Sequence, residues 1–286
     1  MNNLKEKMQI SVVGLGLIGG SFCRAIKAHT DHICLGLDVD KKAISLALNE
    51  NVIDGEITSD GLKKCDLNII CLHPKETIDF ILNHIKDFKP GSIVMDVCGV
   101  KEIIINSVDK PLYDNGIAFV GTHPMAGNEN SGFGASTDTL FNGGSFIITP
   151  SKLTLEDKIK TVKKLAVDIK FGEIVLSTPE KHDEIIAYTS QLAHIVSSSY
   201  VKSPTLKDEY GFSANSFQDL TRVAKLNEDM WTDLFMLNEK PLLYELNTII
   251  SHLTEYRDAI SKKDYTTLKS LLKQGRIIKE NHLKQK

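Results

Sequence analysis

The stretch QISVVGLGLIG, residues 9–19, decides how the first half of this chain folds. Gln9 to Val13 is a short, apolar, β-branched run, and it leads directly into Gly14-Leu15-Gly16-Leu17-Ile18-Gly19. The residues from Leu17 to His29 then carry apolar side chains at helical spacing. A strand, a G-x-G-x-x-G turn and a helix in that order form the opening of a dinucleotide-binding unit. Gly14 permits the tight turn, Gly16 removes a side chain where a pyrophosphate must approach, and Gly19 lets helix and strand pack closely. The N–H groups at Leu17 and Ile18, at the positive end of the helix dipole, then face the phosphates. Six residues alone are a weak signal, and the next strand strengthens it. Ile33 to Leu37 is followed by Asp38, 24 residues after Gly14, close to the spacing expected of an acid that accepts hydrogen bonds from ribose hydroxyls. A carboxylate there repels a 2′-phosphate, no arginine lies nearby and Asp40 adds a second negative charge, so NAD is expected rather than NADP. The alternative is that Asp38 only caps the helix that begins at Asp40 or Lys41.

Outward from this turn, strand-like and helix-like segments alternate. Leu67 to Leu72, Ser92 to Val97 and Ile117 to Val120 repeat the strand signal between helical stretches, the first of which is Lys41 to Glu50. Continuously apolar strands that alternate with helices imply a parallel sheet covered on both faces, and right-handed crossovers make it a doubly wound, Rossmann-type fold. Ser145 to Thr149 reads as another strand, Thr154 to Asp168 as a helix and Glu173 to Leu176 as the last strand. After Thr178-Pro179 the character changes. A proline with Glu180, Asp183 and Glu184 in the first turns opens a helix, and helical patterns continue to Lys286. Ile185, Leu192, Ile195 and Val196 form one apolar stripe; Leu234, Leu237, Leu242 and Leu246 form a second that continues from Ile249 to Ile260. The expected division is a dinucleotide-binding domain over 1–176 and an all-helical domain over 177–286.

Composition narrows the function. With 34 basic and 37 acidic residues the net charge is −3, and no basic block suits nucleic acid or an anionic membrane as the main partner. Apolar runs such as Ile10 to Ile18 are too short to span a bilayer, and the polar start of the chain does not resemble a signal peptide, so a cytoplasmic location is expected. The five cysteines include no C-x-x-C, and four sit in apolar runs; neither disulfides nor a metal site is expected.

Three stretches carry candidate chemistry. His123 lies in Gly121-Thr122-His123-Pro124-Met125-Ala126-Gly127, after a strand and at the sheet edge where ligands bind in this fold. Its neighbours make it poor core packing, and an imidazole near neutral pH is a natural acid–base group. Ser190 and His194 stand four apart on the first helix of the second domain, which suits either a paired polar site or a polar edge beside the apolar stripe. Asp219-Leu220-Thr221-Arg222 leads toward Trp231, the only tryptophan; Arg222 suits a carboxylate ligand, or pairs with Asp219 on a helix surface.

Taken in order, these segments resemble the prephenate dehydrogenases, with the arogenate dehydrogenases, of tyrosine biosynthesis. The resemblance rests on GLGLIGGS at 14–21, DVCGVK at 96–101, GTHPMAGNENSG at 121–132, LFNGGSFIITP at 140–150, TSQLAH at 189–194 and FQDLTRVAKLNEDMW at 217–231. It implies a Rossmann domain followed by a helical dimerisation domain, a homodimer, and the oxidative decarboxylation of prephenate to 4-hydroxyphenylpyruvate. It further implies that His123 accepts the proton of the ring hydroxyl, that Arg222 anchors a substrate carboxylate, and that His194 contacts the substrate. Ser190, Thr221 and Trp231 would help to shape the pocket. One departure stands out: where the family pattern D-x-G-S-x-K has serine, this chain has Gly99, so that water or the Cys98 thiol stands in, or the contact is absent. The alternatives are arogenate as substrate, another two-domain NAD(P) dehydrogenase or imine reductase, and a non-catalytic NAD sensor. The presence of His123 together with Arg222 counts against the last two.

Overall fold

The structure, a computed structural model, describes residues 7–127 and 130–284; Asn128 and Glu129 of the 121–132 segment lie outside the described residues. In chain order the elements begin with β1 (Gln9–Val13), α1 (Leu17–His29), β2 (Ile33–Leu37), α2 (Lys41–Asn49), β3 (Gly55–Glu56), β4 (Leu67–Ile70) and α3 (Pro74–Asn83). They continue with β5 (Ile93–Asp96), α4 (Glu102–Asp114), β6 (Ala118–Pro124), β7 (Ser145–Thr149), α5 (Glu156–Asp168), β8 (Glu173–Leu176) and α6 (Pro179–Ile186). A π-helical turn (Ala187–Leu192) precedes α7 (Ala193–Tyr200), α8 (Asn215–Thr221), α9 (Glu228–Leu237), α10 (Glu239–Ser261) and α11 (Tyr265–Leu283).

The eight strands form one sheet in the order β3-β2-β1-β4-β5-β6-β7-β8. Every neighbouring pair is parallel except β6 with β7. β4 and β5 are buried along their whole length, as continuous apolar runs in a sheet covered on both faces should be. Chain order reverses at β1, which lies between β2 and β4, so the crevice for a ligand opens beyond the C-terminal ends of these strands.

Two stretches differ from the sequence reading. The strand expected to stop at Val120 runs on to Pro124, because Gly121 to Pro124 pair antiparallel with Phe146 to Thr149. His123 is therefore a strand residue, opposite Ile147, rather than part of a loop that follows the strand. The stripe from Leu234 to Leu246 is divided between α9 and α10. The break falls at Asn238, a buried side chain that donates to Gln191 Oε1 at 2.8 Å.

The chain forms two compact units, Met1–Ile186 with Asn227–Leu237, and Ala187–Leu226 with Asn238–Lys286. β8 ends at Leu176, yet α6 belongs with the sheet because Asp183 holds the start of α4: its Oδ1 and Oδ2 accept the N–H groups of Lys101 (2.8 Å) and Glu102 (2.9 Å). The second unit is helical throughout its elements. In it α10 packs on the π turn and on α11, while Leu243, Tyr244, Ile250, Leu253, Leu272 and Ile278 stay exposed. Among the described residues no helix is long and apolar enough to cross a membrane.

Candidate active site

The glycine turn joins β1 to α1. Gly14 has φ +88°, and a Cβ there would lie 2.5 Å from the Cys71 carbonyl oxygen. A Cβ at Gly19 would stand 1.8 Å from the Gly14 carbonyl oxygen, so any side chain would push α1 off the turn. Gly16 is different, for a Cβ there would meet nothing within 4 Å. It opens α1 with no side-chain cap and no acidic residue in the first turn, leaving the N–H groups at Leu17 and Ile18 at an uncapped positive end. The Asp38 carboxylate is drawn onto this turn: it accepts the N–H of Leu15 at 2.5 Å and that of Asp40 at 2.7 Å. Asp40 itself caps α2, accepting from the Lys42 N–H at 2.9 Å. A backbone cradle with open space over Gly16 and an acid at the end of β2 fits a dinucleotide.

At the same sheet edge, β5 and β6 end in a buried polar cluster. Asp96 and Lys101 form an ion pair in which neither side chain is exposed to solvent. The Lys101 Nζ also donates to the Thr122 carbonyl oxygen at 2.7 Å, and the Thr122 N–H donates to Asp96 Oδ1 at 3.2 Å. These contacts fix the backbone of Thr122, immediately before His123. Behind the half-buried His123 ring, Nδ1 lies 2.9 Å from His182 Nε2, and His182 Nδ1 lies 2.7 Å from Asp183 Oδ1. Burial holds the His123 pKa well below the usual imidazole value, and the neighbouring His182 and Lys101 push it the same way. Burial also lowers His182, and Lys101 adds to this; the hydrogen bond and charge of Asp183, with Asp96 beyond, oppose the shift.

Gly99 faces the other edge of the His123 ring. A Cβ at this position would be 3.8 Å from Cε1, 3.9 Å from Nε2 and 3.7 Å from Leu234 Cδ2, all ordinary contacts. The Cys98 thiol is turned to Thr77 Oγ1 at 3.4 Å and the Leu72 carbonyl oxygen at 3.5 Å. Burial, with Asp96 nearby, pushes its pKa up to about 12. The thiol is thus committed to the α3 side and does not stand in for the serine of the family pattern. Among the described residues no group of three or more His, Cys, Asp or Glu side chains is placed to hold a metal.

The remaining candidates divide between the units. Trp231 lies on α9 in the first unit, its ring 5.3 Å from that of Phe235. Ser190, His194, Thr221 and Arg222 lie in the second. There His194 Nδ1 bonds to the carbonyl oxygen of Ser190 at 2.8 Å, across the end of the π turn. Burial lowers the His194 pKa and the Arg222 charge contributes, while the bond to Ser190 works against them. The Thr221 hydroxyl donates to the Phe217 carbonyl oxygen at 2.9 Å, and Arg222 sits at the C-terminal end of α8. Sequence reasoning misses His182 and reads Asp183 only as a helix-opening acid. The available signal is His182 four residues before Ile186, which puts an imidazole on the apolar face of α6.

With this geometry in place, the chain can be set beside known proteins. A family model described as "Prephenate dehydrogenase, nucleotide-binding domain" matches residues 22–175, and one described as "Prephenate dehydrogenase, dimerization domain" matches residues 178–274. The prephenate dehydrogenase of Bacillus subtilis (strain 168) is 30% identical over 281 residues, covering 94% of this chain and 74% of that protein. The cyclohexadienyl dehydrogenase of Zymomonas mobilis is 32% identical over 271 residues, covering 89% of each. Among solved structures, prephenate dehydrogenase from A. aeolicus in complex with hydroxyphenyl propionate and NAD+ superposes with a TM-score of 0.86 at 26% identity, covering 97% of this chain and 99% of that one.

Proposed function

The chain belongs to the prephenate dehydrogenase family, and from that membership we propose that it converts prephenate to 4-hydroxyphenylpyruvate in tyrosine biosynthesis, with NAD as the oxidant. The observation that carries this reading is the His123 ring, tied by Nδ1 to His182 while its opposite edge faces the space at Gly99. A substrate hydroxyl at that edge donates to Nε2. As hydride leaves the carbon bearing the hydroxyl, Nε2 takes the hydroxyl proton, the bond to the ring carboxylate breaks, carbon dioxide departs and the ring becomes aromatic. His123 must be neutral to accept, and its depressed pKa keeps it so at neutral pH.

The residues suited to the cofactor are Gly14, Gly16, Gly19, the N–H groups at Leu17 and Ile18, and Asp38. When bound, NAD supplies the hydride acceptor. Asp38 favours it over NADP, since a 2′-phosphate would meet a carboxylate. By the family resemblance, Arg222 anchors a substrate carboxylate and His194 makes a polar contact, with Ser190, Thr221 and Trp231 shaping the pocket. A homodimer through the second unit is supported by the match to a dimerization domain and by the exposed apolar side chains of α10 and α11.

Arogenate is the second reading, supported by the similarity to a cyclohexadienyl dehydrogenase. The test is NADH formation by the purified protein with NAD, offered prephenate and arogenate separately. A rate with prephenate is expected. A rate with arogenate alone replaces the substrate, and no rate with either ends the proposal.

A further inference from the structure

We propose that His182 and Asp183 form a proton relay behind His123, fixing the tautomer whose Nε2 is bare and taking over the charge when that nitrogen is protonated. The inference rests on the reading of His123 as acceptor of a substrate proton.

The proton positions follow from the contacts. A carboxylate only accepts, and Asp183 Oδ1 lies 2.7 Å from His182 Nδ1, so the proton of that bond belongs to His182 Nδ1. A neutral His182 then has a lone pair on Nε2, which needs a donor at 2.9 Å, and His123 Nδ1 is that donor. His123 is left with its lone pair on Nε2, at the ring edge that faces Gly99. Protonating His182 at rest would invert the His123 tautomer and cancel its basicity. Burial and the Lys101 charge oppose that state.

During turnover the same contacts lead inward. The substrate O–H bond breaks as His123 Nε2 gains a proton. The Nδ1 proton of His123 then passes along the 2.9 Å contact to His182 Nε2. His123 ends neutral as the Nε2–H tautomer, and His182 becomes an imidazolium whose Nδ1–H remains on Asp183. The charged groups around the two rings are Lys101 and Asp96, at the junction of β5 and α4, and Asp183 on α6; α9 contributes the apolar Leu234. Lys101 disfavours a cation on either ring, and the direct bond to Asp183 offsets this only at His182. Asp183 also keeps its donor in place, because its two oxygens accept the Lys101 and Glu102 N–H groups and so cannot swing away without uncapping α4. His182 and Asp183 are positioning residues in this scheme, since neither touches the substrate.

The test is Asp183→Asn. An amide nitrogen in place of Oδ1 presents an N–H to His182 and so reverses both tautomers; the remaining oxygen still accepts the Glu102 N–H, while the Lys101 N–H loses its acceptor. The expected result is a fall in kcat of about 10²–10⁴-fold, with KM for prephenate and affinity for NAD within about threefold. Nitrogen NMR of the protein with NAD bound supplies the second readout. His123 should carry its proton on Nδ1 in the wild type and on Nε2 in the variant. A folded variant that keeps kcat within about threefold, or one that loses kcat with unchanged tautomers, overturns the relay. If the variant does not fold, a wild-type spectrum with the His123 proton on Nε2 overturns it alone, and one with the proton on Nδ1 upholds the tautomer assignment. Failure of the wild type to oxidise either substrate would instead remove the functional reading and leave the tautomer result standing.

Discussion

The glycine turn and the histidine relay sit at the same edge of one sheet and are assembled in opposite ways. Six consecutive residues make the turn. The relay gathers His123 from β6 and His182 and Asp183 from α6, with Asp183 held in place by the N–H groups at the start of α4. Inside the turn the glycines themselves divide: Gly14 and Gly19 are demanded by the backbone, whereas Gly16 borders open space. The comparison separates residues required by the fold from residues required by a ligand. It also predicts where damage spreads, locally in the turn and across elements in the relay.

The largest expected effect is at the head of the relay. His123→Asn should lower kcat by about 10²–10⁴-fold while leaving NAD affinity unchanged, as steady-state kinetics and nucleotide titration would report. Near-normal turnover would remove His123 from the chemistry. Next comes Gly19→Ala, whose Cβ would collide with the Gly14 carbonyl. It should cost about 3 kcal/mol or more of stability in denaturant titration, and nucleotide binding with it. Gly16→Ala sharpens the contrast inside the turn. Stability should move by less than about 0.5 kcal/mol while NAD binds about tenfold more weakly. Equal effects of the two substitutions would abolish the distinction between them.

Two smaller effects concern the relay. Gly99→Ser places its Cβ at ordinary contact distance from the His123 ring, so stability should hold within about 0.5 kcal/mol. A serine hydroxyl that donates to Nε2 competes with the substrate for that lone pair, so kcat should fall by about fivefold, the weight of a hydrogen bond of about 1 kcal/mol; an unchanged kcat would show that the hydroxyl turns away from the ring. The smallest expected change is with pH. The folded-state pKa of His123 is depressed, so kcat should stay level as pH falls through the ordinary imidazole value of about 6.5 and drop only further into acid. Stability should behave differently. His123 and His182 are held neutral in the fold, and an unfolded chain binds protons on both below about pH 6.5, so Tm should decline from there downward. A kcat that falls in step with an unperturbed histidine would show that the ring is not enclosed as described.

Most of the fold was legible because its signals are short in range. β1, α1 and β2 lie where the apolar runs place them, since a buried parallel strand needs only continuous apolar residues and a helix needs only its repeat. The end of β6 was not legible: Gly121 to Pro124 resemble a turn, and only the partner strand β7 keeps them extended. The break at Asn238 was hidden for a related reason, as apolar spacing continues across it while the Asn238 backbone leaves the helical region and its side chain bonds to Gln191, 47 positions away. In the candidate site, Gly14, Gly16, Gly19, Asp38 and His123 could be named from their own neighbourhoods. His182 could not, because its place beside His123 depends on a contact across 59 positions of chain.

The ion pair beneath His123 has a historical consequence. Asp96 and Lys101 are both sealed from solvent, so replacing either one alone strands the other's charge in the interior, at a cost of about 3–5 kcal/mol. An apolar pair of matching volume removes the stranded charge but leaves the buried N–H and carbonyl of Thr122 and the N–H of Cys98 unpaired, so that route is costly as well. Descendants of this sequence are therefore expected to keep both residues.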